Sequence, residues 1–309
     1  MSDFVLNTPI LFTIFNRPDT TSRVFDAIRL ARPPKLFIAA DGPRPDRPGE
    51  AELTEKTREI VHSVDWDCEV QTRFLDTNHG CRVAMSSAID WFFSQVEEGI
   101  ILEDDCLPSP SFFRYCQEML AYFRLDERII NISGCNMQLG RHPVKESYYF
   151  SRYVHIWGWA SYRRAWQHYR VDMPDYPDFR SGNAPEALFP DPKERKRWLE
   201  ILDLVYAKSP HFNTWDFQWN YVGFKRNALS VTPNHNLVQN LGCTAESLHT
   251  AGNAFADAES EEMPFPLIHP EFLYPHPQAD HFTFKHDFAN PLSKRVGRYL
   301  ARKRRKSCN

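Results

Sequence analysis

The sequence predicts an α/β protein: a mostly parallel central sheet flanked by helices, with an extended C-terminal portion. The first reason is periodicity. Through the first half of the chain, short apolar runs alternate with segments of helical spacing, joined by short connections. The second is composition: 309 residues, 42% hydrophobic and 25% charged, suit a globular chain with a sizeable core and argue against disorder. Twelve glycines against 23 prolines predict rigid turns and few flexible linkers.

The elements follow in order. PILFTIF (9–15) is an apolar run fit for a buried strand. Residues 19–31 place Val24, Ile28 and Ala31 at helical spacing. KLFIAA (35–40) reads as a second buried strand, EAELTEKTREIVHSV (50–64) as a helix with a charged face, and CEVQTRFL (68–75) as a third, alternating strand. RVAMSSAIDWFFSQV (82–96) is a helix, GIIL (99–102) a strand, and PSFFRYCQEMLAYF (110–123) a helix with Pro110 near its first turn. The second half is less regular. IINIS (129–133), YYFS (148–151) and ALSVTP (228–233) read as strands. WGWASYRRAWQHY (157–169) leads into an aromatic-rich helix, and 173–192 is a proline-rich loop. KERKRWLEILDLVYA (193–207) and DFQWNYVGFKR (216–226) are helices, and AESEEMPFPLIHP (258–270) has no clear period. The expected organisation is one domain over 1–252, an irregular extension packed on it over 253–290, and a basic amphipathic tail over 291–309.

Charge is unevenly spread. The net charge is −3, yet residues 291–309 carry eight basic residues and no acid, which leaves −11 on the rest. An acidic body has no general basic face for phosphate backbones, so no nucleic-acid partner is expected. In the tail, Leu292, Val296, Tyr299 and Leu300 fall on one helical stripe among basic residues, a pattern suited to an anionic membrane surface. A solvated tail or a docking arm for an acidic partner is the alternative. No apolar run reaches a membrane span's length. The N-terminus carries no signal-peptide pattern, and seven cysteines without a CxxC pair read as reduced thiols. The expected location is therefore cytoplasmic, with peripheral attachment to the inner face of the membrane if the tail binds lipid.

Absent motifs narrow the function. The sequence has no GxGxxG, GK[ST], HExxH or GxSxG, which removes most support for dinucleotide enzymes, P-loop enzymes, zincins and α/β-hydrolases. What stands out is ILEDDCLPSPSFF (101–113), where a buried strand ends in Glu103, Asp104 and Asp105. Three adjacent carboxylates repel one another. A hard divalent cation such as Mg²⁺ or Mn²⁺ would offset that repulsion and leave positions open for phosphate oxygens. The plain alternative is a solvated acidic turn before the next helix.

This motif, in a chain that starts with PILFTIFNRP, resembles the nucleotide-diphospho-sugar glycosyltransferases of the GT-A (Rossmann-like) fold. The form EDD followed by proline and FF is most similar to the N-acetylglucosaminyltransferase I group and its bacterial relatives. FTIFNRP (12–18) resembles the first-strand motif beside the base, and IAADGPR (38–44) the second-strand end whose aspartate faces base or ribose. NHGCRVAMSSAIDW (78–91) resembles the segment whose glycine passes close to the nucleotide, WGWASYRRAW (157–166) the acceptor-side tryptophan segment, and NLVQNLGCTAESLHT (236–250) a late segment ending in His-Thr. The resemblance implies a nucleotide-sugar site of Phe15, Asn16, Arg17, Asp41, Gly80, Arg82, Glu103 and Asp104. It implies a Mn²⁺ or Mg²⁺ site of Asp105 and His249. For Arg17 and Arg82 an ordinary surface role is the alternative, and for His249 a loop histidine bonded to backbone.

Inverting transfer needs a base for the acceptor hydroxyl. TWDFQWNY (214–221) puts Asp216 at a helix start among aromatic residues, in the late position where the resembling enzymes keep their base; a simple helix cap is the alternative. Trp157, Trp159, Trp215 and Trp219 are candidates for stacking on sugar faces on the acceptor side, against the commoner core role. The expected activity is metal-dependent, inverting transfer from a nucleotide-sugar donor, a UDP-sugar such as UDP-GlcNAc, to a hydroxyl of a glycan or lipid-linked acceptor. The alternative is a non-catalytic nucleotide-sugar-binding or membrane-adaptor protein. A nucleotidyltransferase lacks support because no glycine-rich first loop is present. A glycoside hydrolase needs only two carboxylates and fits the same residues.

Overall fold

Ile10–Ile14 are buried at every position, and the sheet grows outward from them. The computed structural model describes residues 4–138, 140–208, 212–242 and 258–289. In chain order the elements begin β1 (Ile10–Ile14), α1 (Pro18–Ala31), β2 (Lys35–Ala40), α2 (Glu50–Arg58), β3 (Glu69–Phe74), α3 (Gly80–Gln95) and β4 (Glu98–Glu103). They continue with β5 (Cys106–Pro108), α4 (Pro110–Phe123), β6 (Ile129–Ser133), β7 (Tyr148–Ser151), β8 (Trp159–Tyr162), α5 (Arg163–Trp166), α6 (Tyr176–Ser181) and α7 (Ala184–Leu188). The last are α8 (Pro192–Tyr206), α9 (Asp216–Arg226), β9 (Leu229–Pro233), β10 (Val238–Asn240) and α10 (Pro277–Thr283).

Among the described residues, eight strands form one sheet in the order β3-β2-β1-β4-β8-β6-β9-β7. The β3–β2, β2–β1, β1–β4 and β6–β9 pairs are parallel; β4–β8, β8–β6 and β9–β7 are antiparallel. Six strands therefore run one way, and only β7 and β8 run the other. The sheet is mixed, with a parallel half of β1 to β4 and helices packed on it. Central strands covered on both faces need continuous apolar runs, which is why PILFTIF and GIIL were readable. The chain steps outward from β1 to β2 and β3, then returns to β4 on the other side of β1. That reversal opens a crevice at the carboxyl ends of β1 and β4, where open α/β sheets bind ligands.

Four local readings change. WASY (159–162) is the strand β8, not the start of a helix, because it lies wholly buried between β4 and β6; only one helical turn follows. The 50–64 helix is α-helical to Arg58 and tightens to a 3₁₀ turn over Glu59–Ser63. The 173–192 segment holds α6 and α7, both with proline in the first turn, where its missing N–H costs nothing. Residues 238–240 pair antiparallel with β5, directly after the acidic triplet.

A second apolar cluster, with Tyr153, Trp198, Tyr221 and Phe224 at its heart, joins α8 and α9. Residues 258–276 cross α4 and cover the edge strand β7. Met263 N donates to Ser111 Oγ at 2.7 Å, Ser147 N donates to the Ile268 carbonyl at 2.9 Å, and Phe150 bridges to Pro275. Covering an edge strand removes a template for unwanted pairing. Among the described residues no helix is long and apolar enough to cross a membrane, and Cys68, Cys81, Cys106, Cys116 and Cys135 are free thiols. The tail, 291–309, lies outside the described residues.

Candidate functional site

Two strand ends meet at the crevice. After β1 the chain presents Phe15, Asn16 and Arg17; after β4 it presents Glu103, Asp104 and Asp105. They are joined directly. Phe15 N donates to Asp104 Oδ2 at 3.1 Å, Arg17 Nη1 donates to Asp105 Oδ2 at 2.7 Å, and the same nitrogen lies 3.5 Å from Asp104 Oδ1. One guanidinium thus serves two carboxylates of the triplet.

The third carboxylate has less. Among the described residues the Glu103 side chain accepts no hydrogen bond. Burial and the charges of Asp105, Asp104 and Asp216 hold its pKa well above the usual carboxylate range, with Arg17 pulling the other way. Asp104 is pushed up to about 7, by burial and then by Asp105, against Arg17 and the Phe15 N–H. These shifts record crowding of like charge in a desolvated pocket.

Asp216 lies close enough to Glu103 and Cys81 for its charge to act on both. It is the first residue of α9, and it accepts a hydrogen bond from the Thr214 hydroxyl. Cys81, in the first turn of α3, marks the meeting point. Although the residue as a whole is exposed, its sulfur is crowded by protein. Burial and then the charges of Glu103, Asp216, Asp41 and Asp105 raise the thiol to about 12. Burial and the nearby carboxylates thus both disfavour the thiolate of Cys81.

Asp41, after β2, is committed elsewhere. Its carboxylate accepts from Gly42 N, Asn78 Nδ2 and His79 N at 2.9 Å each, and from Gly80 N at 3.0 Å. It satisfies the open N–H groups at the start of α3, while Arg82 N donates to Asn213 Oδ1 at 3.3 Å. Gly80 has φ +77°, and a Cβ there would stand 2.8 Å from Asn213 Nδ2. Gly42 is tighter still: a Cβ would sit 2.4 Å from the Thr77 backbone. The Arg82 guanidinium donates to the Phe212 carbonyl. It ties the start of α3 to the segment that leads into Asp216 and so helps position that carboxylate.

Sequence reasoning missed Glu50 and Arg44. Glu50 is buried and accepts from Asn16 Nδ2 at 2.9 Å and from Arg44 N at 2.7 Å and Nε, while the Arg44 guanidinium lies over the Phe15 ring at 5.6 Å. The pairing holds Glu50 below the usual carboxylate range. An acid at a helix start was visible in the sequence, but its partners on another loop were not. Gly242 was also missed. Leu241 N donates to the Asp105 carbonyl at 2.7 Å, and a Cβ on Gly242 would fall 2.1 Å from Asp105 Oδ2.

The tryptophans divide. Trp159, Trp215 and Trp219 are buried (0%, 2% and 0% exposed) and pack together, with the Trp159 and Trp215 rings stacked at 5.7 Å. A ring with no open face cannot stack on a sugar, so the acceptor-side reading is corrected for these three to a core role. Trp157 is half-buried, packed beside Cys135, Met137 and Phe282. His249 lies outside the described residues. Among those residues no three His, Cys, Asp or Glu side chains converge as a metal-ligand set. Asp105 still offers hard oxygen beside a carboxylate with no donor of its own, and it already holds a cationic group.

No family model and no curated protein matches the chain. Among solved structures it is similar to a UDP-glucose pyrophosphorylase complexed with UDP-glucose (10% identity, TM-score 0.29, 52% of this chain and 78% of that one). It is similar to mouse xyloside xylosyltransferase 1 (10% identity, TM-score 0.35, 72% and 82%). It is also similar to the bifunctional glycosyltransferase WbbM (8% identity, TM-score 0.33, 73% and 39%), of whose length it spans well under half. At such scores the likenesses decide nothing about activity, and what the cleft can do follows from its own residues.

Proposed function

We propose that this chain is a GT-A-type glycosyltransferase that moves a sugar from a nucleotide-sugar donor to a hydroxyl of a glycan or lipid-linked acceptor, with inversion. The supporting observation is the meeting of Arg17, the Glu103–Asp105 triplet and Asp216 around one cleft at the sheet's switch point. The donor's diphosphate lies toward Arg17, whose fork matches phosphate oxygens. The base end lies toward Phe15, Asn16 and Arg44. Asp216 faces the acceptor hydroxyl and takes its proton as that oxygen attacks the anomeric carbon. The all-oxygen character of the triplet fits Mn²⁺ or Mg²⁺ with Asp105 as a ligand and His249 as a second; the ion supplies charge stabilisation to the departing diphosphate. UDP-GlcNAc as donor rests on the resemblance of the EDD segment alone. Trp157 remains the acceptor-side aromatic of this proposal. The basic segment 291–309 is proposed to hold the enzyme at an anionic membrane surface, on its charge and apolar stripe.

The test compares Asp216→Asn with Asp105→Ala. Removing only the base leaves UDP affinity in Mn²⁺ near wild type, and turnover falls by roughly two to four orders of magnitude. Removing the metal ligand weakens both. Calorimetry for UDP beside transfer rate at saturating acceptor reads the difference. A wild-type protein that binds no nucleotide with Mn²⁺ would overturn the proposal, and near-normal turnover in Asp216→Asn would overturn the base.

A further inference from the structure

Arg17 approaches the acidic triplet from the solvent side. Its side chain is 50% exposed, whereas those of Asp104 and Asp105 are 9% and 17% exposed. Behind the pair stands the Leu241–Gly242 backbone. A Cβ on Gly242 would stand 2.1 Å from Asp105 Oδ2 and 3.1 Å from Arg17 Nη1, so no larger residue leaves the pair undisturbed. Asp105 Oδ2 is thus closed by protein on one side and faced by a single half-exposed guanidinium on the other.

We propose that Arg17 is a displaceable counter-ion. It neutralises Asp105 in the nucleotide-free protein and transfers to the donor's diphosphate when a divalent cation takes Asp105 Oδ2. The inference rests on reading the cleft as a nucleotide-sugar site. Three properties support it. Arginine cannot relieve competition by losing its proton, so it must move. An ion pair with one exposed partner is weak enough to be exchanged. The planar guanidinium matches two phosphate oxygens at once, a better fit than its present pairing, in which one nitrogen meets Asp105 Oδ2 at 2.7 Å and Asp104 Oδ1 at 3.5 Å. A cation arriving alone must push Arg17 into water, and a diphosphate arriving alone must face three carboxylates. Arriving together, each removes the other's obstacle, so the two ligands bind with positive coupling.

The test is Arg17→Gln in the full chain, with Mn²⁺ and UDP as probes. Free Mn²⁺ followed by paramagnetic resonance, without nucleotide, should show Mn²⁺ binding roughly fivefold tighter than in wild type. UDP affinity in saturating Mn²⁺ should fall about 10- to 100-fold, the loss of a charged hydrogen-bond partner. The opposite signs are the signature, since damage to the fold would weaken both. Unchanged or weaker Mn²⁺ binding in the variant, with Mn²⁺-dependent UDP binding intact in wild type, overturns the exchange but leaves the proposed function standing. Wild type binding neither probe overturns both. Arg17→Lys keeps a charge without the fork: it should bind Mn²⁺ as wild type does and UDP about tenfold more weakly, and wild-type UDP affinity in that variant also overturns the exchange.

Discussion

Replacing Asp104 by Asn should stabilise the ligand-free protein above neutral pH. Asp104 is 7% exposed and lies between two other acids. Burial and the charge of Asp105 raise it from the ordinary 3.8 to about 7. A shift of that size corresponds to at most about 4 kcal/mol. Glu103 and Asp105 share the repulsion, so removing one charge relieves roughly half, ~2 kcal/mol. The sign follows from proton binding. A carboxyl whose pKa is higher in the folded than in the unfolded state supports the fold fully below about 4, and that support fades as pH rises to about 7. Asn has the same shape, keeps a carbonyl oxygen for the Phe15 N–H, and carries no charge at any pH. With divalent ions chelated and no nucleotide, the variant should melt roughly 3–6 °C above wild type at pH 8, with less than half that advantage at pH 5. Calorimetric scans at the two pH values read it. An offset independent of pH, or a variant less stable than wild type at pH 8, would refute the crowding of charge at this ledge.

Trp159→Phe should lower stability by about 2–3 kcal/mol through the cavity it leaves in the core, with UDP affinity within twofold of wild type; a loss of acceptor binding without a change in melting would restore Trp159 to the sugar side. Gly42→Ala should cost about 1–3 kcal/mol because the new methyl group meets the Thr77 backbone, and amide exchange at His79 and Gly80 should quicken as the hold of Asp41 on α3 loosens. An unchanged melt with unchanged exchange would show that the close approach is not needed.

Much of the fold was legible because the parallel half obeys local rules. The strands β1, β2 and β4 each carry a buried apolar run, the helices between them carry one buried face, and short loops join them. Local rules fail where partners are distant in sequence. Nothing in WASY marks it as the strand that fits between β4 and β6. That depends on a slot left by two strands 25 or more residues upstream, and burial there overrides the helical pattern of the residues that follow. β10 is three residues long, and only its position beside β5 makes it a strand.

The site was legible to the level of residue type but not of role. Five carboxylates, Asp41, Glu103, Asp104, Asp105 and Asp216, gather around the Cys81 side of the cleft or on its ledge. The sequence offers them as equivalents; their partners separate them. Four N–H groups saturate Asp41, so its charge is spent on holding α3. Asp104 is fastened to the backbone after β1 and keeps the two strand ends in register with each other. Asp216 rests on a helix start and a threonine hydroxyl. Asp105 shares the half-exposed Arg17 guanidinium with Asp104, and the Glu103 carboxylate has no hydrogen-bond donor among the described residues. A desolvated pair with so little compensation attracts positive charge whenever it is offered. Under the proposed function, that unbalanced charge, rather than the count of acids in the motif, is what would make the ledge a ligand site instead of an acidic turn.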